Sequence, residues 1–230
     1  MKYTFESRVR FSEIDENGYL KFNNFINYFQ DCSTFQSEDL GIGVEHLRKQ
    51  HLVWVVTSWQ IEVIKYPRLG DKITIGTFAY DFKSFIGYRN FYMLDENGEY
   101  IAKATSVWAL LDTETGKPQK AREEDMELYG KEEKLDMNYK SRKIIIPEGM
   151  KELEPIEVMS HHLDVNHHVN NGQYINIAAS IVVQGDRPRS LRVEYKNQAH
   201  LGDVIHPFTD GKVVDLRSED GTSFCVVEIE

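Results

Sequence analysis

The 230 residues predict an α+β chain of two similar units, each pairing one buried helix with an antiparallel sheet. Three observations carry this. Residues 53 to 77 lie over residues 185 to 209: Ile61-Glu62 stands eight residues before Leu69-Gly70-Asp71, and Val193-Glu194 stands eight before Leu201-Gly202-Asp203. Asp15-Glu16-Asn17 followed by Asn23-Asn24 matches Asp164-Val165-Asn166 followed by Asn170-Asn171, with two extra residues in the first copy. Each polar stretch then runs into an apolar pattern of helical period.

Taken in order, each copy reads as a short entry strand, an Asn-rich loop, one helix and a run of strands. After Asn23-Asn24, Phe25, Phe29 and Cys32 recur at i, i+4 and i+7, and Gly41 is the expected stop. The segments around the two LGD triplets read as strand, turn, strand, and Asp95-Glu96-Asn97-Gly98 and Glu219-Asp220-Gly221 are hairpin signals. In the second copy Tyr174, Ile177, Ala178, Ile181 and Val182 form the buried stripe of the helix. Residues 121 to 134 (AREEDMELYGKEEK) carry six acids and three bases, which predicts a solvated helix or linker. The expected organisation is an N-terminal unit at 1–120, a charged linker at 121–150, and a C-terminal unit at 151–230 that ends on SFCVVEIE and carries the catalytic residues.

Composition excludes several classes. Hydrophobic residues at 41% with 15 Gly and 6 Pro argue against disordered and collagenous chains. Lys plus Arg is 27 against 37 for Asp plus Glu, and a formal charge of −10 opposes nonspecific binding to nucleic acid or an anionic membrane. Two cysteines are too few for a disulfide framework or a four-cysteine zinc site. With no signal-like start and no run of about 18 apolar residues, a cytoplasmic protein without membrane insertion is expected.

The densest cluster of reactive side chains is HHLDVNHHVNNGQYI, His161 to Ile175. Asp164, Asn166 and His168 stand at i, i+2 and i+4, a spacing that in extended chain points all three to one side. They supply a carboxylate, an amide and an imidazole able to exchange protons near neutral pH, and the following helix start offers backbone N–H groups to an oxyanion. This set suits acyl transfer. A purely structural alternative makes Asp164, Asn166 and Asn170 turn and N-cap residues. The repeat weighs against it, because the first copy keeps Asp15 and Asn17 but has Tyr19 where the second has His168.

Metal binding by His161, His162, His167 and His168 is the rival, yet HExxH spacing and a Cys ligand are both missing, so no metal is expected. No GxSxG supplies a serine nucleophile. Cys32 and Cys225 fall in a helix face and a terminal strand, where core packing is the default; the same default holds for Trp54, Trp59 and Trp108, with an apolar tunnel as the alternative.

DVNHHVNNGQYI, Asp164 to Ile175, resembles the signature of the acyl-acyl-carrier-protein thioesterases, which release the chain at the end of fatty acid synthesis. The resemblance extends over RFSEIDENGYLKFNNFINYFQD, WALLDTETGKP and the LGD repeat. It implies two tandem hotdog units, each a long helix wrapped by an antiparallel sheet, and hydrolysis of a fatty acyl thioester without metal or cofactor. Asn166 and His168 match the family's catalytic Asn and His, and Asp164 matches an Asp with a catalytic part. Glu194-Tyr195-Lys196-Asn197-Gln198-Ala199 puts Gln198 and Ala199 where plant members carry Glu and Cys. A cysteine mechanism is therefore not carried over, and Gln198 is a candidate to orient a water whose proton it cannot remove. Alternation places Gln198 with Glu194 on the face opposite Leu191, Val193 and Tyr195.

The resemblance makes Asp164 either the nucleophile or the base for a water, with Asn166 positioning the thioester and His168 and helix-start amides handling charge and protons. Acyl carrier protein bearing a fatty acyl chain is the implied partner; an acyl-CoA thioesterase and a non-catalytic acyl-binding protein on the same fold are the alternatives. The carrier is acidic, so a dock is expected at Arg187, Arg189 and Arg192 or at Lys140, Arg142 and Lys143. The assembly is expected to be a monomer or homodimer.

Overall fold

A computed structural model describes the chain except residues 165, 184 and 186, so Val165 of the second Asp-Val-Asn motif lies outside the described residues. The chain divides into two units, one of Met1–Thr57 and Ile61–Tyr139, the other of Ser58–Gln60 and Lys140–Glu230.

In the first unit, strand β1 (Tyr3–Arg8) leads through a 3-10 turn (Phe11–Glu13) to helix α1 (Phe22–Asp39) and short helix α2 (Val44–Lys49). Strands β2 (Leu52–Val63), β3 (Lys72–Lys83), β4 (Ile86–Asp95) and β5 (Tyr100–Asp112) follow, then helix α3 (Glu123–Tyr129). The sheet order is β1-β3-β4-β5-β2. Helix α1 packs on β3 and buries Phe22, Phe25, Ile26, Phe29, Cys32 and Gln36, the i, i+3, i+4, i+7 stripe that its sequence carries. Phe25 and Phe29 are wholly buried, and each such side chain stabilises the fold by about 1.5–3 kcal/mol. The helix ends in a Schellman arrangement: Gly41, at φ 73°, donates to Glu38, and Ile42 donates to Ser37. Gly76 is a close-approach position, since a Cβ there would meet the Tyr92 ring at 2.1 Å across the β3–β4 ladder.

The second unit has paired segments β6 (Lys151–Glu152) and β7 (Ile156–Glu157), a 3-10 turn (Ser160–His162), helix α4 (Asn171–Val182), and strands β8 (Ser190–Tyr195), β9 (Val204–Thr209), β10 (Val213–Arg217) and β11 (Ser223–Ile229). Its order is β8-β11-β10-β9-β6, with β7 also on β9. The entry strand of the first unit is here split in two around Pro155, which has no N–H to give to a ladder. Register is nevertheless kept: Ser7 faces Ile73 and Ile156 faces Ile205. Helix α4 packs on β10 and β11 and buries Gly172, Tyr174, Ile175, Ile177 and Ala178; Ile181 and Val182 of the expected stripe are only half-buried.

The α+β architecture of helix on antiparallel sheet is thus present in both halves, and α1 at 18 residues against α4 at 12, with α2 added, accounts for the larger first copy. Residues between the sheets are less solvated than their charge suggests. Asp125 and Tyr129 of α3 are buried, Tyr129 against Ile42 and Ala79. Tyr139 donates to Asn90 Oδ1, and Leu135 N–H donates to the same atom. Further on, Ile144 packs on Val213 and Val226 and gives its N–H to Glu194.

Candidate active site

Asp164, Asn166 and His168 are not on an extended strand, as their spacing suggested. They sit on a tight turn closed by Asp164 N–H donating to the His168 carbonyl at 2.9 Å and flanked by a Leu163–Val169 bridge. The Asp164 carboxylate accepts from Asn166 N–H at 2.8 Å, and His167 N–H donates to the Asp164 carbonyl at 3.1 Å. The turn requires a left-handed residue, and His167 adopts φ 63°. All three predicted residues are therefore brought together, but by a turn rather than by strand alternation.

The first unit contains the same turn. Asp15 N–H donates to the Tyr19 carbonyl at 2.7 Å, Asp15 Oδ1 accepts from Asn17 N–H at 2.9 Å, and Gly18 holds φ 79° where His167 stands. The equivalence continues into the helix start: Lys21 N–H donates to Glu13 as Asn170 N–H does to His162, and Asn24 N–H donates to Lys21 as Gln173 N–H does to Asn170. The two copies thus keep one spacing from the turn to the helix start. Asn23-Asn24 lies inside α1 and does not match Asn170-Asn171, so the two extra residues inferred from sequence do not exist; Lys21 occupies the N-cap position that Asn170 fills in the second copy.

That N-cap changes the role of the helix start. Asn170 Oδ1 accepts from Gly172 N–H at 2.8 Å and the Asn170 carbonyl from Gln173 N–H at 2.9 Å, so these two amides are already engaged and are not free for an oxyanion. His162 is likewise structural, its Nδ1 accepting from Met159 N–H at 3.1 Å as Glu13 accepts from Arg10 N–H. Among the described residues, no three His, Cys, Asp or Glu side chains are grouped so as to hold a metal ion.

Behind the turn runs the segment after β8. Val169 N–H donates to the Ala199 carbonyl at 2.9 Å, His168 bridges His200, and the buried Ala199 N–H donates to the Tyr174 hydroxyl of α4 at 2.9 Å. Gln198 is exposed in this loop, beyond the end of β8 at Tyr195, so the parity expected from a continuing strand does not apply to it. The backbone places it beside the turn; a link from its side chain to Asp164 or His168 is not part of the hydrogen bonding described. His200 was not singled out by sequence. Its signal was there in the repeat, which aligns the residue before each LGD triplet, Arg68 in one copy and His200 in the other.

Electrostatically, the His168 imidazole is held below its ordinary value of 6.5, chiefly by burial; Asp164 opposes this, and His200 and His167 add to it. The ring is uncharged at neutral pH and accepts a proton. The two thiols are unsuited to nucleophilic work: burial pushes Cys32 up to about 12 and raises Cys225 well above the ordinary thiol value. Trp59 is buried in β2 and Trp108 donates to Ser106 at 2.6 Å, while Trp54 lines a small recess with Leu47, Leu110 and Met126 in the first unit. Of the expected basic dock, Arg192 is committed elsewhere: it pairs with Glu228 and donates to the carbonyls of Ser141 and Lys143.

Comparison with known proteins gives the family. Family models described as acyl-ACP thioesterase N-terminal domain and C-terminal domain match residues 1–129 and 147–227. An acyl-[acyl-carrier-protein] hydrolase of Cuphea viscosissima is 26% identical over 217 residues, 87% of this chain and 53% of that protein. An oleoyl-acyl carrier protein thioesterase of Arabidopsis thaliana is 27% identical over 223 residues, 87% of this chain and 61% of that protein. The chain therefore spans between half and two thirds of these chloroplastic relatives. Among solved structures, an acyl-ACP thioesterase from Bacteroides thetaiotaomicron superposes with a TM-score of 0.89 at 22% identity, covering 99% of this chain and 96% of that one. A 12:0-ACP thioesterase from Umbellularia californica gives 0.84 at 18% identity, covering 100% and 96%. With family models matching both units, on either side of the connector, the chain belongs to the acyl-ACP thioesterase family.

Proposed function

We propose that the chain hydrolyses fatty acyl thioesters of acyl carrier protein, giving a free fatty acid and the carrier thiol. The observation that carries this is the turn of the second unit, which gathers Asp164, Asn166 and an uncharged His168 on a scaffold whose first-unit copy has Tyr19 in place of the imidazole. The carboxylate of Asp164 either attacks the thioester carbonyl carbon or removes a proton from the attacking water. Asn166 orients the acyl group, and His168 moves protons. The leaving thiolate, whose thiol pKa is about 8.5, departs without strong acid assistance. Gln198 contributes at most by orienting a water through its amide.

The protein acts in the cytoplasm as a monomer or homodimer, in keeping with two free, buried cysteines; among the described residues no helix is long and apolar enough to cross a membrane. The carrier dock is either Arg187, Arg189 and Arg192 or Lys140, Arg142 and Lys143; within these, Arg192 pairs with Glu228 and Lys140 with Glu230. The test is release of free thiol from acyl-carrier protein by wild type, His168→Ala and Asp164→Ala. General acid–base and nucleophilic groups of this kind are each worth about 10²–10⁴ in rate, so both variants lose most turnover while staying folded. Near-normal rates in both exclude the proposal.

A further inference from the structure

The imidazole of His168 meets a second one. His168 and His200 form an antiparallel bridge, and their rings stand edge to face, centroids 5.4 Å apart at 86°. His200 is anchored from its own turn: its N–H donates to Asp203 Oδ2 at 2.7 Å, and its Nδ1 lies 3.8 Å from the same oxygen. Its side chain is 60% exposed, so water reaches it.

The first unit shows what this pair of positions does when it is only structural. There Tyr19 bridges Arg68, the guanidinium lies 4.4 Å from the Tyr19 ring centroid and donates to the Tyr19 hydroxyl at 2.9 Å, and Arg68 N–H donates to Asp71 at 2.8 Å. The anchoring carboxylate is thus part of the shared scaffold. What differs is the side chains, a cation packed on a phenol in one copy and two imidazoles in the other. A cation on a phenol ring supports packing; two imidazoles beside a carboxylate are groups able to take and return protons. The groups facing the pair are Asp164 and His167 from the turn of His168 and Asp203 from that of His200.

We propose that His200 is a catalytic base of this site, taking the proton of the water that completes hydrolysis; this rests on the thioesterase function proposed above. With an imidazole available as base, the Asp164 carboxylate is free to attack. Its oxygen bonds to the acyl carbon as the carbon–sulfur bond breaks, leaving a mixed anhydride and a thiolate. Water then attacks the acyl carbon of the anhydride, its proton passes to the His200 ring, and the fatty acid leaves as the Asp164 carboxylate is restored. The thiolate takes the proton from the His200 imidazolium, so one water is consumed and one acid and one thiol are formed.

The experiment measures kcat and KM for thiol release from acyl-carrier protein and acyl-CoA by wild type, His200→Ala and His200→Phe, each with and without added imidazole. The Phe variant keeps an aromatic edge against His168 but has no basic nitrogen. Expected are losses of at least tenfold in kcat for both variants, and a rise in the His200→Ala rate on adding imidazole. A variant that keeps more than a tenth of wild-type kcat, or a His200→Ala rate that imidazole leaves unchanged, overturns the proposal. Absence of turnover by wild type on either substrate is a different result and removes the thioesterase function itself.

Discussion

Replacing Asp164 by Asn separates a catalytic carboxylate from a turn residue, because Asn keeps the oxygen that the turn needs. Asp164 Oδ1 accepts from Asn166 N–H at 2.8 Å, and the first unit offers an internal control in Asp15, whose Oδ1 accepts from Asn17 and Tyr19 at 2.9 Å each. A hydrogen bond of this kind contributes about 0.5–1.5 kcal/mol net, more when charge-assisted. Asp15→Ala and Asp164→Ala therefore each cost about 0.5–3 kcal/mol, while the Asn variants cost under about 1 kcal/mol because an acceptor remains. Turnover should behave differently. Asp15→Asn leaves the rate unchanged, and Asp164→Asn lowers it by about 10²–10⁴ with the fold intact, the loss expected when a reacting group is removed. Urea unfolding gives the stabilities and thiol release gives the rates. If Asp164→Asn keeps turnover within threefold of wild type while Asp164→Ala loses it together with stability, Asp164 is a turn former and the assigned chemistry fails.

Other expectations follow from the same geometry. Tyr174→Phe leaves the buried Ala199 N–H without its acceptor, a cost of about 1–3 kcal/mol, and loosens the segment that carries Gln198 and His200, so kcat falls more than KM changes; unchanged stability would show that the hydroxyl does not hold this segment. His168 is held below 6.5, so the folded protein resists its protonation. Activity that needs the neutral ring, and the stability linked to it, are full above 6.5 and are lost as pH falls through the lowered value. A kcat/KM profile whose acid limb is unaltered in His168→Gln would separate that limb from this ring. Iodoacetamide at neutral pH leaves turnover intact, since Cys32, pushed up to about 12, and Cys225 are both buried and protonated; inactivation that tracks alkylation would bring a thiol into the reaction. Asn170→Ala removes the α4 cap and costs about 1 kcal/mol, measured by urea unfolding, with an unchanged midpoint as the contrary result.

The repeat was legible because its signals are local. Each LGD triplet makes the same turn, with Gly70 at φ 84° and Gly202 at φ 85°, and the carboxylate of each Asp caps the residue before the triplet. The apolar period of α1 and its stop at Gly41 were equally plain. The turn from Asp164 to His168 reads as extended chain in the sequence because its left-handed position is His167, whereas the first copy marks the same point with Gly18. Asparagine identity misled the alignment of the helix starts, since an N-cap Asn and an Asn in a first turn look alike in sequence but do different work. His200 escaped notice because a single residue before a turn carries no periodicity. Its meaning depends on a bridge to His168, and that contact joins residues 32 positions apart.

The most direct test sets wild type beside His168→Ala on acyl-carrier protein and acyl-CoA of matched chain length, following free thiol. Thiol release from acyl-carrier protein, exceeding that from acyl-CoA and falling by about 10²–10⁴ in the variant, is the outcome expected of a carrier-protein thioesterase whose second-unit imidazole does the work. No release above background from either thioester, or equal rates for wild type and variant, contradicts it.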